Sequence, residues 1–146
     1  MKTSWTVDHI LHHKGPAVWS ITPQATVFEA IQLLAQKNIG ALLVMEGENL
    51  VGIFSERDYT RKVALEGKTS GKTLVGEVIS SPVISVTPEH SVEDCMRLMT
   101  DKRIRHLPVL KSGKVVGLVS IGDIVNWIIS AQKAALDQME NYIAGR

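Results

Sequence analysis

One cysteine, two phenylalanines, two tyrosines and no excess of either charge leave this 146-residue chain short of the features that announce a chemistry. The lone Cys95 excludes an internal disulfide and any cysteine-built metal site. Its place in an apolar helical pattern suits a small buried hydrophobe in a reducing compartment. Sixteen Lys and Arg against fifteen Asp and Glu give a formal charge of +1, which excludes binding nucleic acid by bulk charge and requires that any anionic partner meet a local cluster. No segment approaches the roughly 20 apolar residues of a membrane span, and the N-terminus carries no signal-peptide stretch. The expectation is a cytoplasmic protein without a membrane or nucleic-acid partner. Neither a nucleophile with its base, nor a Walker-type loop, nor a metal-ligand set stands anywhere in the chain, so a binding module is expected rather than an enzyme.

What the chain does have is a repeat. A displacement of 65 positions lays Ser20-Ile21-Thr22-Pro23 on Ser85-Val86-Thr87-Pro88, and Gly52-Ile53-Phe54-Ser55-Glu56-Arg57-Asp58 on Gly117-Leu118-Val119-Ser120-Ile121-Gly122-Asp123, with no gap between the anchors. Register kept through strands, helices and turns implies two copies of one supersecondary unit related by pseudo-twofold symmetry, neither large enough to bury its own apolar face. The starts match at a different displacement. Val7 to Leu11 lies opposite Val75 to Ile79, a shift of 68, with three extra residues around His13-Lys14-Gly15-Pro16. Glu66 to Lys72 reads as the connecting loop, which divides the chain into residues 1–66 and 67–146.

Each copy has the same internal order. Val18 to Ile21 and Val83 to Val86 read as short strands stopped by Thr-Pro, since proline cannot donate to a ladder. Thr26 with Glu29, and Ser91 with Asp94, have capping-box spacing and open helices over Val27 to Lys37 and Val92 to Lys102. Ala41 to Met45 with Leu50 to Phe54, and Leu107 to Leu110 with Val115 to Val119, flank polar Gly-containing turns and predict hairpins that run straight into a final helix. The fold class is therefore α/β (α+β), each copy a small three-stranded sheet packed on two helices.

The paired Gly-x-x-Ser-x-x-Asp segments are the best candidates for chemistry. A strand that ends at a helix N-terminus gathers a hydroxyl, free N–H groups and a carboxylate. The N–H groups suit phosphate, and an ionised Asp can accept two hydrogen bonds from the vicinal hydroxyls of a ribose. Ser55 with Asp58 and Ser120 with Asp123 also have capping-box spacing, so the same residues serve equally as helix caps.

With these residues in hand, the chain from about Val7 to Ile129 resembles the tandem cystathionine β-synthase (CBS) domain pair, or Bateman module. Its landmarks here are Ser85-Val86-Thr87-Pro88, Arg105-His106-Leu107-Pro108-Val109 and Gly117 to Asp123. The resemblance implies a regulatory module that binds an adenosine-containing ligand (AMP, ADP, ATP, NAD or an S-adenosyl compound) in clefts between the two motifs. It implies that Asp58 and Asp123 hold ribose hydroxyls, and that Ser55 and Ser120 lie near ribose or phosphate. Thr22 and Thr87 would sit at the ligand-facing end of the first strand, and backbone groups around Ala41-Leu42 and Leu107-Pro108 would read the adenine edge. Where the second copy has Arg105-His106-Leu107-Pro108 the first has Gly40-Ala41-Leu42-Leu43, so the two sites are expected to differ.

Arg105 and His106 are the second copy's candidates for phosphate, because Arg grips it bidentately and His adds a pH-sensitive donor. Lys102 and Arg103 read as cations at a helix C-terminus. Arg57 is a candidate cation for the first site, with an ion pair to Glu56 as the alternative, and Lys14 is a weaker one. His9, His12 and His13 lack the glutamate of a zinc motif and any cysteine partner, so no metal is expected. Trp5, Trp19 and Trp127 read as packing residues, Trp19 also as a base-stacking candidate. Beyond the repeat, Val125, Ile128, Ile129, Ala135, Leu136, Met139 and Ile143 continue an apolar stripe that predicts a homodimer through the last helix.

Overall fold

The computed structural model describes residues 5–15, 17–79 and 82–145. In chain order these form α1 (Val7–Lys14), β1 (Ser20–Ile21), α2 (Val27–Lys37), β2 (Ala41–Glu46), β3 (Asn49–Ser55), α3 (Glu56–Tyr59) with a π turn over Thr60–Ala64, a 3₁₀ turn over Val75–Glu77, α4 (Val92–Lys102), β4 (His106–Lys111), β5 (Lys114–Ser120) and α5 (Ile121–Ala144). The capping boxes open α2 and α4 as expected. The Glu29 amide donates to Thr26 Oγ1 at 3.2 Å and the Asp94 amide to Ser91 Oγ at 3.0 Å.

The sheets differ by one strand. In the first half β1 runs parallel to β2, which pairs antiparallel with β3; in the second, β4 pairs with β5 alone. The strand expected over Val83 to Val86 contributes a single parallel bridge, Val86 to Val109. Proline explains the loss. Leu43 donates its N–H to the Trp19 carbonyl at 3.2 Å, and the residues at the matching places are Pro108 and Ile84. Pro108 has no N–H to give, so that rung cannot form.

Two cores result, and the segment that leads each half belongs to the other half's core. Val7 and Ile10 of α1 are buried with Val92, Cys95, Leu107, Val119 and Ile124, while Val75 and Val78 are buried with Val27, Leu42, Val44 and Phe54. The exchange is symmetric down to its hydrogen bonds. Val7 N–H donates to His90 O (2.9 Å) and Asp8 N–H to Pro88 O (3.0 Å); correspondingly, Val75 N–H donates to Ala25 O (2.8 Å) and Gly76 N–H to Pro23 O (2.9 Å).

Matching glycines make room for the exchange. A Cβ on Gly117 would come within 2.5 Å of Leu11 Cδ2, and one on Gly52 within 2.6 Å of Ile79 Cδ1. The glycine of each Gly-x-x-Ser-x-x-Asp segment is thus a seat for the crossing segment. Trp127 is held in the same manner, its ring between Trp5 (6.0 Å) and His9 (5.9 Å). Burial, with a smaller push from Asp94, raises the Cys95 thiol to about 11, which keeps it protonated in the core.

Candidate functional site between the halves

A cleft of about 570 Å³ opens where the corner between β3 and α3 faces the second half. One wall carries Ser55, Arg57, Asp58, Arg61 and Lys62. The other carries Pro82 to Ile84 and Lys102 to His106. The sequence placed Ser55, Arg57 and Asp58 on one copy and Arg105 and His106 on the other, and the fold brings these five to the same cleft.

The corner itself is a full capping box. Asp58 Oδ2 accepts the Ser55 N–H (2.9 Å) and hydroxyl (3.0 Å), and the Asp58 amide donates back to Ser55 Oγ (3.2 Å). Its other oxygen lies 3.2 Å from Lys62 Nζ, one turn along the same segment. At 7% exposure Asp58 is a buried charge, and it stays compatible with burial because both oxygens are satisfied. Ser55 and Asp58 are therefore caps in the unliganded fold, and the carboxylate still borders the cleft. Arg57 does not pair with Glu56 through any contact seen here; its Nη1 donates to the Arg103 carbonyl at 2.9 Å and ties the two walls together.

Arg103 ends α4 with φ 55, a left-handed conformation that costs an ordinary L residue roughly 1–2 kcal/mol. The matching residue at the end of α2, Asn38, has φ 53. Asn tolerates this region through its short polar side chain, whereas Arg carries the strain at the cleft edge.

The second corner is built alike and furnished differently. Asp123 Oδ2 accepts the Ser120 N–H at 2.8 Å, and the Asp123 amide donates to Ser120 Oγ at 3.1 Å. Here the cation arrives from another element: Lys14 Nζ, at the end of α1, lies 2.7 Å from Asp123 Oδ2 and 2.7 Å from the Leu118 carbonyl. Lys14, ranked low from sequence, is thus engaged with a candidate ribose carboxylate.

His106 sits where the halves meet, beside Gly40. A Cβ on Gly40 would lie 3.3 Å from Glu56 Oε1 and 3.6 Å from the His106 ring, so the bare backbone there leaves room for both. Burial lowers the His106 pKa below its ordinary 6.5; Asp123 opposes the shift, while Lys14 and Arg105 add to it.

Other expected site residues stand elsewhere. Ile21 pairs with Val44 whereas Ser55 pairs with Ala41, so the strand end carrying Thr22 is the one remote from the serine–aspartate corner. Thr87 follows the Val86–Val109 bridge in the same way, and its amide donates to His90 Nδ1 at 2.9 Å. Ala41, Leu42 and Leu107 are buried, and the Pro108 carbonyl is occupied by the Val86 amide at 3.0 Å. The residues missed by sequence reasoning are Arg61, Lys62 and Pro82 to Ile84. Only the pseudo-twofold could have signalled the latter, by carrying the start of one copy across to the corner of the other.

The three histidines of α1 have structural duties: His9 Nδ1 accepts the Thr6 N–H at 3.0 Å, His12 Nδ1 lies 2.8 Å from the Asp8 carbonyl, and His13 meets the Trp127 ring at 5.6 Å. Among the described residues no group of three or more His, Cys, Asp or Glu is placed to hold a metal. The exposed face of Trp19 is covered by Lys37, whose Nζ lies 4.2 Å from the ring centre.

Residues 9–65 and 75–130 each match the family described as the CBS domain. The chain belongs to the CBS-domain family. Its similarity to the mitochondrial CBS domain-containing protein CBSX3 of Arabidopsis thaliana is 39% identity over 152 residues, covering 97% of this chain and 73% of that one. The CBS domain-containing protein YhcV of Bacillus subtilis (strain 168) is 35% identical over 128 residues, covering 88% of this chain and 84% of that one. A solved CBS-domain protein from Burkholderia ambifaria MC40-6 superposes with a TM-score of 0.84 at 46% identity, over 87% of this chain and 96% of the other. Tandem CBS domains are generally regulatory and nucleotide-binding modules, and this chain carries two CBS domains in tandem. No helix among the described residues is long and apolar enough to cross a membrane.

Proposed function

We propose that this CBS pair is a cytoplasmic sensor for an adenine nucleotide, AMP, NAD, ADP or ATP, which signals by conformational change to a partner protein and catalyses nothing. Residues 1–66 and 67–146 act in this reading as halves of one module, because the ligand lies between them. The observation that carries it is the cleft in which the Ser55–Asp58 corner of one half faces Arg103, Arg105 and His106 of the other. A ribose hydroxyl pair needs an acceptor carboxylate, and phosphate needs convergent cations; the residues that line the cleft offer both. A ligand that bridges the halves stabilises their closed arrangement by its differential affinity for it, which is what regulation requires.

Assembly follows from α5. Val125, Ile129, Leu136, Met139 and Ile143 are exposed along a helix that runs past the core, and an apolar stripe of this length is rare on a monomer. We place it in a homodimer interface; a cyanobacterial CBS-CP12 protein 30% identical to this chain is hexameric. A second reading, an unliganded dimerisation module, is favoured by one observation: both serine–aspartate pairs already complete capping boxes.

Thermal unfolding of nucleotide-stripped protein separates the two. A ligand at 100 times its dissociation constant adds about 2.7 kcal/mol, which raises the melting temperature of a domain this size by several degrees. AMP, ADP, ATP or NAD should produce that shift and guanine or pyrimidine nucleotides a smaller one. Absence of any shift at millimolar concentration rejects sensing and leaves the dimerisation module. Light scattering at micromolar concentration should give twice the chain mass, and a monomer mass rejects the α5 interface.

A further inference from the structure

The pseudo-twofold allows the two corners to be compared charge by charge. Around Asp58, six cationic side chains stand against the carboxylates of Glu56 and Asp58. On the first wall, Arg57, Arg61 and Lys62 have Gly122, Asn126 and Trp127 as counterparts at the other corner. On the second wall, Arg103 and Arg105 have Asn38 and Gly40. Lys102 alone keeps a cation, Lys37, and that one lies on the Trp19 ring. The exchange in the opposite sense is a single residue: Lys14, held on Asp123 and the Leu118 carbonyl, belongs to the three extra residues of the first copy and has no counterpart at the Asp58 cleft.

We infer that the chain takes one nucleotide, carrying two or more phosphates, in the Asp58 cleft alone; this rests on the adenine-nucleotide reading above. Convergent arginines reward each added phosphate through bidentate, charge-assisted bonds. The strained Arg103 supports this assignment, since a residue kept in a left-handed conformation at a cleft edge, where its counterpart is the tolerant Asn38, has its use in the side chain. At the other corner the ammonium of Lys14 already occupies the carboxylate, and it comes from an anchored helix. Lys62 also bridges its aspartate and a backbone carbonyl, but more loosely: it lies 3.2 Å from Asp58 and 3.3 Å from the Val78 carbonyl, against 2.7 Å for both Lys14 contacts, and its side chain is the more exposed of the two.

Calorimetric titration of stripped protein with AMP, ADP and ATP tests this. Wild-type protein should bind one equivalent per chain, with ADP at least tenfold tighter than AMP. Arg103→Asn, which installs the residue of the other half, should bring ADP to within about threefold of AMP while raising the melting temperature of the unliganded protein. A purely structural Arg103 would not give that pair of changes. Asp58→Asn should abolish binding, and Lys14→Met should admit a second equivalent. Two equivalents on the wild type, or one surviving in Asp58→Asn, overturns single occupancy whether or not Lys14→Met folds. One equivalent in folded Lys14→Met overturns the part given to Lys14, and ADP no tighter than AMP overturns the polyphosphate assignment. No binding of any of the three to the wild type overturns the adenine-nucleotide reading and this inference with it.

Discussion

Asn38 and Arg103 occupy the same place in the two halves, at the ends of α2 and α4, with φ 53 and φ 55. The backbone repeats to within a few degrees, and the side chain changes from a residue suited to that conformation to one that is not. The same holds across the interface. The crossing segments make matching hydrogen bonds at Val7 and Val75, and the two corners make matching capping boxes, while the cations beside them differ almost entirely. Hydrogen bonding and burial fix the common plan because each half needs the other's leading segment to complete a core. Cleft charges carry no such duty and are free to diverge, so the divergence points to where the halves do different work.

The comparison is broken most strongly at its glycine seats. Gly52→Ala and Gly117→Ala both overpack a crossing segment, at a cost of about 1–3 kcal/mol. Gly52→Ala should be the worse of the two, since its Cβ would also meet Ile79 Cβ at 3.1 Å, close to the backbone, whereas at Gly117 the obstacle is the end of the Leu11 side chain. Urea unfolding midpoints give the order, and equal shifts would mean that the two seats yield alike.

Next come the caps. Ser55→Ala and Ser120→Ala should each cost about 1 kcal/mol in unliganded protein, by loss of an N-cap acceptor. Similar losses in chemical denaturation support the shared plan; a loss at only one corner would break the symmetry at the level of the backbone.

A smaller effect of opposite sign is expected at the helix ends. Arg103→Asn should stabilise the unliganded fold by about 0.5–1 kcal/mol through relief of the left-handed conformation, whereas Asn38→Arg should destabilise it by a similar amount. Melting temperatures check both, and a neutral Arg103→Asn would show that contacts of the Arg103 side chain offset the strain.

The smallest effect concerns pH. The His106 pKa is depressed in the folded protein, mainly by burial, so on acidification the unfolded chain takes up the proton first. Stability is then full above about pH 6.5 and declines as pH falls from there to the folded-state value, where it levels off. His106→Ala, which installs the residue matching Ala41, should flatten the melting-temperature profile in that window; an unchanged slope would assign the acid sensitivity to other groups.

The amino-acid sequence by itself determined the repeat, the two hairpins, the bounds of α2 and α4, the capping boxes and the α/β class, because apolar period, cap spacing and turn chemistry act within a dozen residues. It also named Ser55, Asp58, Arg105 and His106 as site candidates, since their chemistry is local to the residue. Only the tertiary structure decided that the leading segments change places, that the second copy's cations serve the first copy's aspartate, and that Lys14 reaches Asp123 from the far end of the chain. It also decided that the strand before Pro88 shrinks to one bridge, although the cause, a proline at 108 where an N–H donor to the Ile84 carbonyl is needed, stands in the sequence. The physical reason is common to all four: a contact between residues far apart in sequence depends on how the elements pack, and no local pattern encodes which half a buried valine will join.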